Sequence, residues 1–283
     1  MTYPRFIQWR IGNTLNRLIE NKKWTVREAA RALSTNKDTL DRYVYGKIDR
    51  YDPAKVLGWV IMLGGGEELG QEMRHLAEQT RDVTASGYAR NHDGTPSWFS
   101  PFITMEPEAA ALDIYEAEYI NGLFQVGDYI DAIHEVHPLL SAQDAIDAKQ
   151  LKVRRQEAAY GDSRKNSPPA TRMILNEACL TRMAGTDFEV TQIGHLRSLN
   201  ELDNIGIYVL PLSQRFHPSM DGSYTVMGFD EPGEFRIVYT DRLTGANYDE
   251  ELALVEQYRK IFRATLALSI ELEEYLNANE RMA

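Results

Sequence analysis

The sequence predicts two domains of different class: an all-α domain over 1–84, then a mixed α+β domain over 85–283 with a small sheet and a long C-terminal helix. Three observations carry this. Apolar residues keep helical three- and four-residue spacing as far as residue 80, and the pattern changes from about Ile103. Short segments rich in Val, Ile and Tyr, of strand length, follow in the second part. Between the two lies TASGYARNHDGTPSWFSP (84–101), dense in turn formers, which marks the boundary.

The elements follow in order. Ile7, Ile11, Leu15, Leu18 and Ile19 make one apolar face of a helix from Phe6 to Asn21. Thr25 is a natural N-cap for a second helix, and Glu28, three residues on, completes a capping box. The small or apolar Ala29, Ala30, Ala32 and Leu33 admit a crossing helix. Ser34-Thr35-Asn36 makes a tight turn, Asn36 caps a third helix from Lys37 to Tyr45, and Gly46 ends it in the left-handed region. Pro53 opens a fourth helix, stopped by Gly64-Gly65-Gly66, and 67–80 reads as a fifth with Leu69, Met73 and Leu76 on one side. In the second domain 112–120 alternates like a strand, and 123–136 and 141–161 read as helices. Residues 173–180 read as β after Pro168-Pro169, and 189–202 as a helix. Strands are predicted over 205–212, 223–229 and 234–241, the last two joined through Glu231-Pro232-Gly233. One long helix over 249–276 closes the chain, its stripe including Val255, Tyr258, Phe262 and Leu266.

Composition excludes several classes. At 283 residues the chain can hold two ordinary cores. No run of eighteen apolar residues exists, so no membrane span is expected, and MTYPRFIQWR lacks the apolar core of a secretory leader. The single cysteine, Cys179, cannot build an internal disulfide framework and suits a reducing cytoplasm, where it reads as a small buried apolar residue. A net charge of −11 argues against nucleic acid, but the distribution reverses that. Residues 1–66 hold twelve Lys and Arg against six Asp and Glu, a balance of +6, which leaves −17 for the remainder. A basic head on an acidic body is the asymmetry of a chain that meets phosphate at one end.

Two short helices joined by a tight turn, with a helix on either side, form a helix-turn-helix, the layout that lays one helix in the DNA major groove. On the third helix Leu40 and Tyr43 should face the core, leaving Lys37, Asp38, Asp41, Arg42 and Tyr45 outward. Lys37 and Arg42 can donate to guanine or phosphate, whereas Asp38 and Asp41 only accept, for example from cytosine N4. Arg10, Arg17, Lys22, Lys23, Arg27 and Lys47 are candidate clamps on the phosphate backbone, and Thr25, Asn36 and Thr39 complete the expected interface.

This region resembles the Xre/Cro-type helix-turn-helix family through Gly12, Leu15 and Leu18; Thr25, Glu28, Ala30 and Leu33; Asn36, Thr39, Leu40 and Arg42; and Gly46-Lys47. The family's phosphate-holding Gln after the capping Thr is Val26 here, and its turn Gly is Ser34. The second domain resembles an antitoxin-like domain of unknown function attached to Xre-type regulators in actinobacteria. The resemblance runs through YINGLFQVGDYIDA (119–132), KVRRQEAA (152–159), MILNEACLTRMAG (173–185), YVLPLSQRFHPSMDGSYTVMGF (208–229) and RIVYTD (236–241). The family's Pro before Gly-Leu is Asn121, a departure expected to loosen the turn into the next helix. The resemblance implies a regulatory and assembly domain with no catalytic residues to carry over, and a small acidic protein as partner.

The remaining polar clusters are weaker signals. Arg154, Arg155 and Gln156 suit either an anion or, as the favoured reading, a structural ion pair. His217, Asp221 and Tyr224 come without a nucleophile or oxyanion loop. His134 and His137 are three apart but have no third ligand nearby, which favours a surface pair over a metal site. The triple glycine follows a helix and lacks the Gly-Lys-Ser/Thr ending of a phosphate cradle. The sequence therefore leads to a sequence-specific regulator of double-stranded DNA, a cytoplasmic homodimer without cofactor, metal or catalytic site. Its second domain would sense a protein partner or a small-molecule ligand. The alternative is an antitoxin-like interaction module acting mainly through a partner protein.

Overall fold

A computed structural model describes residues 5–80, 95–138, 140–161, 167–229, 235–242 and 245–279. The chain divides into two compact units, 1–86 and 87–283. Most of the turn-rich stretch predicted as the boundary, and the predicted turn at Glu231-Pro232-Gly233, lie outside the described residues.

Among its described residues the first unit is five helices: α1 (Arg5–Asn21), α2 (Val26–Ala32), α3 (Lys37–Val44), α4 (Pro53–Met62) and α5 (Gly66–Gln79). The apolar face of α1 is buried throughout, from Phe6 and Ile7 to Leu18 and Ile19. At Gly12 the backbone of α3 comes so near that an added Cβ would sit 2.2 Å from the Val44 carbonyl oxygen, so a residue without a side chain is needed there. Buried Tyr51 ties the two helices by donating its hydroxyl to the carbonyls of Gln8 at 3.1 Å and Tyr43 at 3.0 Å. Its ring meets Tyr43 edge-on at 5.0 Å, and Tyr43 in turn leans on Trp59.

The second unit is built on a seven-stranded mixed sheet in the order β6-β5-β4-β1-β2-β3-β7. Its strands are β1 (Ala111–Glu116), β2 (Ala170–Asn176), β3 (Ile205–Leu210), β4 (Tyr224–Gly228), β5 (Arg236–Arg242), β6 (Gly245–Asp249) and β7 (Ile270–Glu271). β1, β2 and β3 run parallel, and parallel neighbours need crossovers. These are supplied by α7 (Gly127–Glu135) and α8 (Ala142–Tyr160), then by α9 (Glu177–Thr181) and α10 (Glu189–Asn200); α6 (Ser100–Met105) precedes the sheet. On one face α11 (Leu252–Leu266) lays Val255 and Phe262 against Tyr115, Ile174, Val226 and Val238. There Arg172 grips Asp113 with two 2.8 Å hydrogen bonds and stacks on the Phe262 ring. Elsewhere in the unit Arg155 on α8 and Glu106 form a buried bidentate pair, with the guanidinium also over Phe99 and Phe102. The structural reading of Arg155 therefore holds, and an anion there is replaced by Glu106.

Several expectations are corrected. The sheet is larger than predicted, because β6 pairs with β5 and β7 with β3 at its two edges. The long closing helix is two, α11 and α12 (Leu272–Ala278). The chain turns after Leu266, where Ser269 bonds back to Thr265 and Leu266, and Ile270 and Glu271 join the edge of β3. The strand predicted over 112–120 stops at Glu116, and the following helix begins only at Gly127. Between them the backbone is held by side chains: Gln192 bonds Phe124 and Val126, Gln156 bonds Gly122 and Gln125, and Tyr129 accepts from the Ile120 amide. Asn121 does not loosen this turn. Its Oδ1 accepts from the Leu123 amide at 3.1 Å and its Nδ2 donates to Glu116 at 2.7 Å. The β reading of 173–180 ends at Asn176, whose side chain caps α9 instead.

Candidate nucleic-acid interface

In the first unit α2 and α3 are set by local chemistry. Thr25 Oγ1 accepts from the Glu28 amide, and the Glu28 carboxylate accepts from the Thr25 amide at 2.7 Å. These bonds to Thr25 hold the Glu28 carboxyl below the ordinary carboxylate range. Ser34 then takes a left-handed backbone, φ 51°, in the position where a glycine costs least. Asn36 Oδ1 accepts from the Thr39 amide at 2.7 Å and starts α3. Gly46, φ 62°, follows its end. Thr25 and Asn36 are exposed at the two helix starts, but their side-chain oxygens are already spent as caps.

α3 buries Leu40, Tyr43 and Val44 and turns Lys37, Asp38, Arg42 and Tyr45 to solvent, with Thr39 and Asp41 half-buried. One of the two acids on this face is balanced, because Lys37 Nζ pairs with Asp41 at 2.9 Å one turn on. That hydrogen bond raises the Lys37 pKa, and the nearby charge of Arg27 opposes it. Arg27 on the first turn of α2 is thus within electrostatic range of Lys37 on the first turn of α3. Among the described residues Arg17, Lys22, Lys23, Arg27, Arg42, Lys47 and Arg50 enter no ion pair. Lys22 lies over the Trp24 ring at 5.3 Å and Lys47 over Tyr45 at 5.6 Å, contacts that leave the ammonium donors available. Arg10 differs from the other predicted clamps. It is half-buried and paired with Glu72 of α5 at 3.4 Å, so part of its charge is committed inside the unit.

Beside α3 the connection to α4 closes an open cleft of about 450 Å³ lined by Thr39, Arg42, Tyr43, Ile48, Asp49 and Arg50. Arg50 was not singled out by sequence reasoning, because it lies in an irregular connection with no periodicity to orient it. Its signal was only the run of cations around residue 47. Two guanidinium groups and a hydroxyl line the cleft, donors that suit a phosphate oxygen, with the Asp49 carboxylate in the same lining. An eight-residue helix is roughly 12 Å long, of a size to enter a major groove of about the same width.

The second unit spends several of its described cations in ion pairs. Arg155, Arg172, Arg182 and Arg197 are each paired with a carboxylate. Burial raises the Cys179 thiol pKa and keeps it protonated, which suits packing rather than nucleophilic attack. The Tyr224 hydroxyl is held by Ser219, which also bonds Thr265, while His217 lies against the Tyr115 ring. Among the described residues no three His, Cys, Asp or Glu side chains gather as metal ligands, and no helix is long and apolar enough to cross a membrane. Residues 99–275 match the family described as Domain of unknown function (DUF5753). No curated protein and no solved structure was found to match the chain.

Proposed function

The chain belongs to the DUF5753 family of unknown function, so its activity is read from its own surfaces, and we propose that it is a sequence-specific DNA-binding regulator of the Xre type. In this reading α2 and α3 are the helix-turn-helix and α3 is the reading helix. The observation that carries it is the set of cations around α3 that enter no ion pair among the described residues: Arg27 at the start of α2, Arg42 and Arg50 at the cleft, Lys47 beyond. Arg17, Lys22 and Lys23 extend the positive surface. Arg42 and Asp38 are the side chains free to meet base edges, because Lys37 and Asp41 must first release each other. One short helix reads few base pairs, so the regulator acts as a homodimer on two half-sites, assembled by the second unit.

The test is selection of bound duplexes from a random pool, followed by titration of the recovered duplex at rising salt. A shared two-fold-symmetric site and an affinity that falls steeply with salt support the reading, because each phosphate contact releases a counterion. Recovery of no common sequence, with no duplex retained at low salt, refutes it.

A second reading has its own observation. The connection between β3 and β4 leaves Leu212, Phe216 and Met220 exposed, Phe216 at 84%. Such side chains suit a protein partner. The chain would then be an antitoxin-like interaction module, the second unit taking a partner protein or a small ligand. A partner that co-purifies with the chain and is lost on Phe216→Ser, in a chain that selects no duplex, would favour this reading over the first.

A further inference from the structure

Helix α8 has nineteen residues, yet only Arg155 and Ala159 are buried. Its inward cations are engaged: Lys149 with Asp131, Lys152 with Gln125 and Arg155 with Glu106. Its outward stripe is different. Ile146 is 50% and Val153 41% exposed, and exposed Gln150 lies between them. Residues seven apart on a helix fall within about 20° of one line, so Ile146 and Val153 form a single apolar seam. Asp147 and Arg154, also seven apart, share one flank of that seam. Arg154 is exposed and has no ionic partner among the described residues, and Asp147 takes a hydrogen bond from Gln143 on its own helix.

This stripe is self-complementary. The pairs Ile146/Val153, Asp147/Arg154 and Gln143/Glu157 are each centred on Gln150 to within half a residue. A two-fold axis through Gln150, perpendicular to the helix, brings a second copy alongside in the antiparallel sense. Ile146 then meets Val153 of the second copy, Asp147 meets its Arg154, and the Gln143 amide meets its Glu157. Each match holds to within about 1.5 Å along the helix, one residue's rise. An unrelated partner has no need of such a palindrome, whereas an interface between identical surfaces demands it.

We propose that two copies of this chain associate through an antiparallel α8–α8 contact centred on Gln150. The contact names the assembly surface of the homodimeric regulator proposed above. It rests on that reading only for its consequence at DNA. A single helix pair covers less than the roughly 800 Å² per partner of a standard interface, so the association is weak and depends on concentration.

Sedimentation velocity of the full chain, without DNA, tests it, so loss of pairing and loss of DNA binding are read separately. The expected result is a monomer–dimer equilibrium that Ile146→Glu weakens about tenfold or more. Asp147→Arg and Arg154→Asp each weaken it, and the double swap D147R/R154D restores most of the loss, which a folding defect would not do. A wild-type chain that stays monomeric at high concentration overturns the proposal. So does a dimer indifferent to Ile146→Glu, or a double swap no better than either single change.

Discussion

In the second unit Arg155 is buried and gripped by Glu106 through two 2.8 Å hydrogen bonds, whereas in the first unit Arg42 stands in solvent on α3 with no carboxylate upon it among the described residues. The same side chain is spent on structure in one place and left available in the other. The difference follows from desolvation. A guanidinium taken out of water needs a partner of opposite charge within hydrogen-bond reach, and Glu106 supplies it. A guanidinium left in water costs the fold nothing and keeps its donors for a phosphate or a base. The charge totals reflect the same division, +6 over residues 1–66 against −17 over the rest.

The sharpest way to break the comparison is to remove one buried partner. Arg155→Met leaves the Glu106 carboxylate uncompensated and should lower the stability of the chain by about 3–5 kcal/mol in denaturant unfolding. A loss below about 1 kcal/mol would mean that the pair is incidental to the fold. Next is the pH response of Glu116, a buried carboxyl raised to about 7 by desolvation, against an ordinary value of 4.5. The folded state holds this proton more tightly than the unfolded state does. Its contribution is therefore fully present below pH 4.5 and is lost as pH rises through about 7. Glu116→Gln should flatten the unfolding curve over that window and stabilise the chain at pH 8 by ~3 kcal/mol at most. A pH profile unchanged by the substitution would show that Glu116 does not carry it.

Arg42→Ala tests the other side of the comparison. It should weaken duplex binding about tenfold while leaving the unfolding midpoint unmoved, as befits a charge not used by the fold. Equal loss of stability and binding would place Arg42 with Arg155 as a structural residue. The smallest expected effect is at the turn after β1. Asn121→Ala removes a cap and a donor to Glu116, and should cost about 1 kcal/mol and raise the Glu116 midpoint further. If the midpoint does not rise, the Asn121–Glu116 hydrogen bond is not maintained in solution.

How much of this was legible depended on how local each cause is. The helices of the first unit were readable to within a residue or two: α2, α3 and α4 because Thr25, Glu28, Asn36 and Pro53 cap or open them through contacts no more than three residues away, α1 and α5 from the spacing of their apolar residues. The burial of Leu40 and Tyr43, and with it the outward face of α3, followed from spacing alone. The Lys37–Asp41 pair was also within reach at i,i+4 spacing, but only the structure showed it formed. Arg50 was not readable, since an irregular connection has no period from which to infer direction. In the second unit the Glu106 partner of Arg155 lies 49 residues away, and no local pattern names it.

By itself, then, the amino-acid order determined the caps, the helical faces of the first unit, the strand-rich character of the second and the separation of charge between them. All of these arise from chemistry within a turn or two of chain. Only the tertiary structure decided where β6 and β7 join the sheet, that the last helix divides after Leu266, and that residues 117–126 form a loop held by glutamines of α8 and α10. An edge strand is defined by the neighbour it pairs with, and a pinned loop by side chains from distant helices. Those partners are brought near only when the chain has folded.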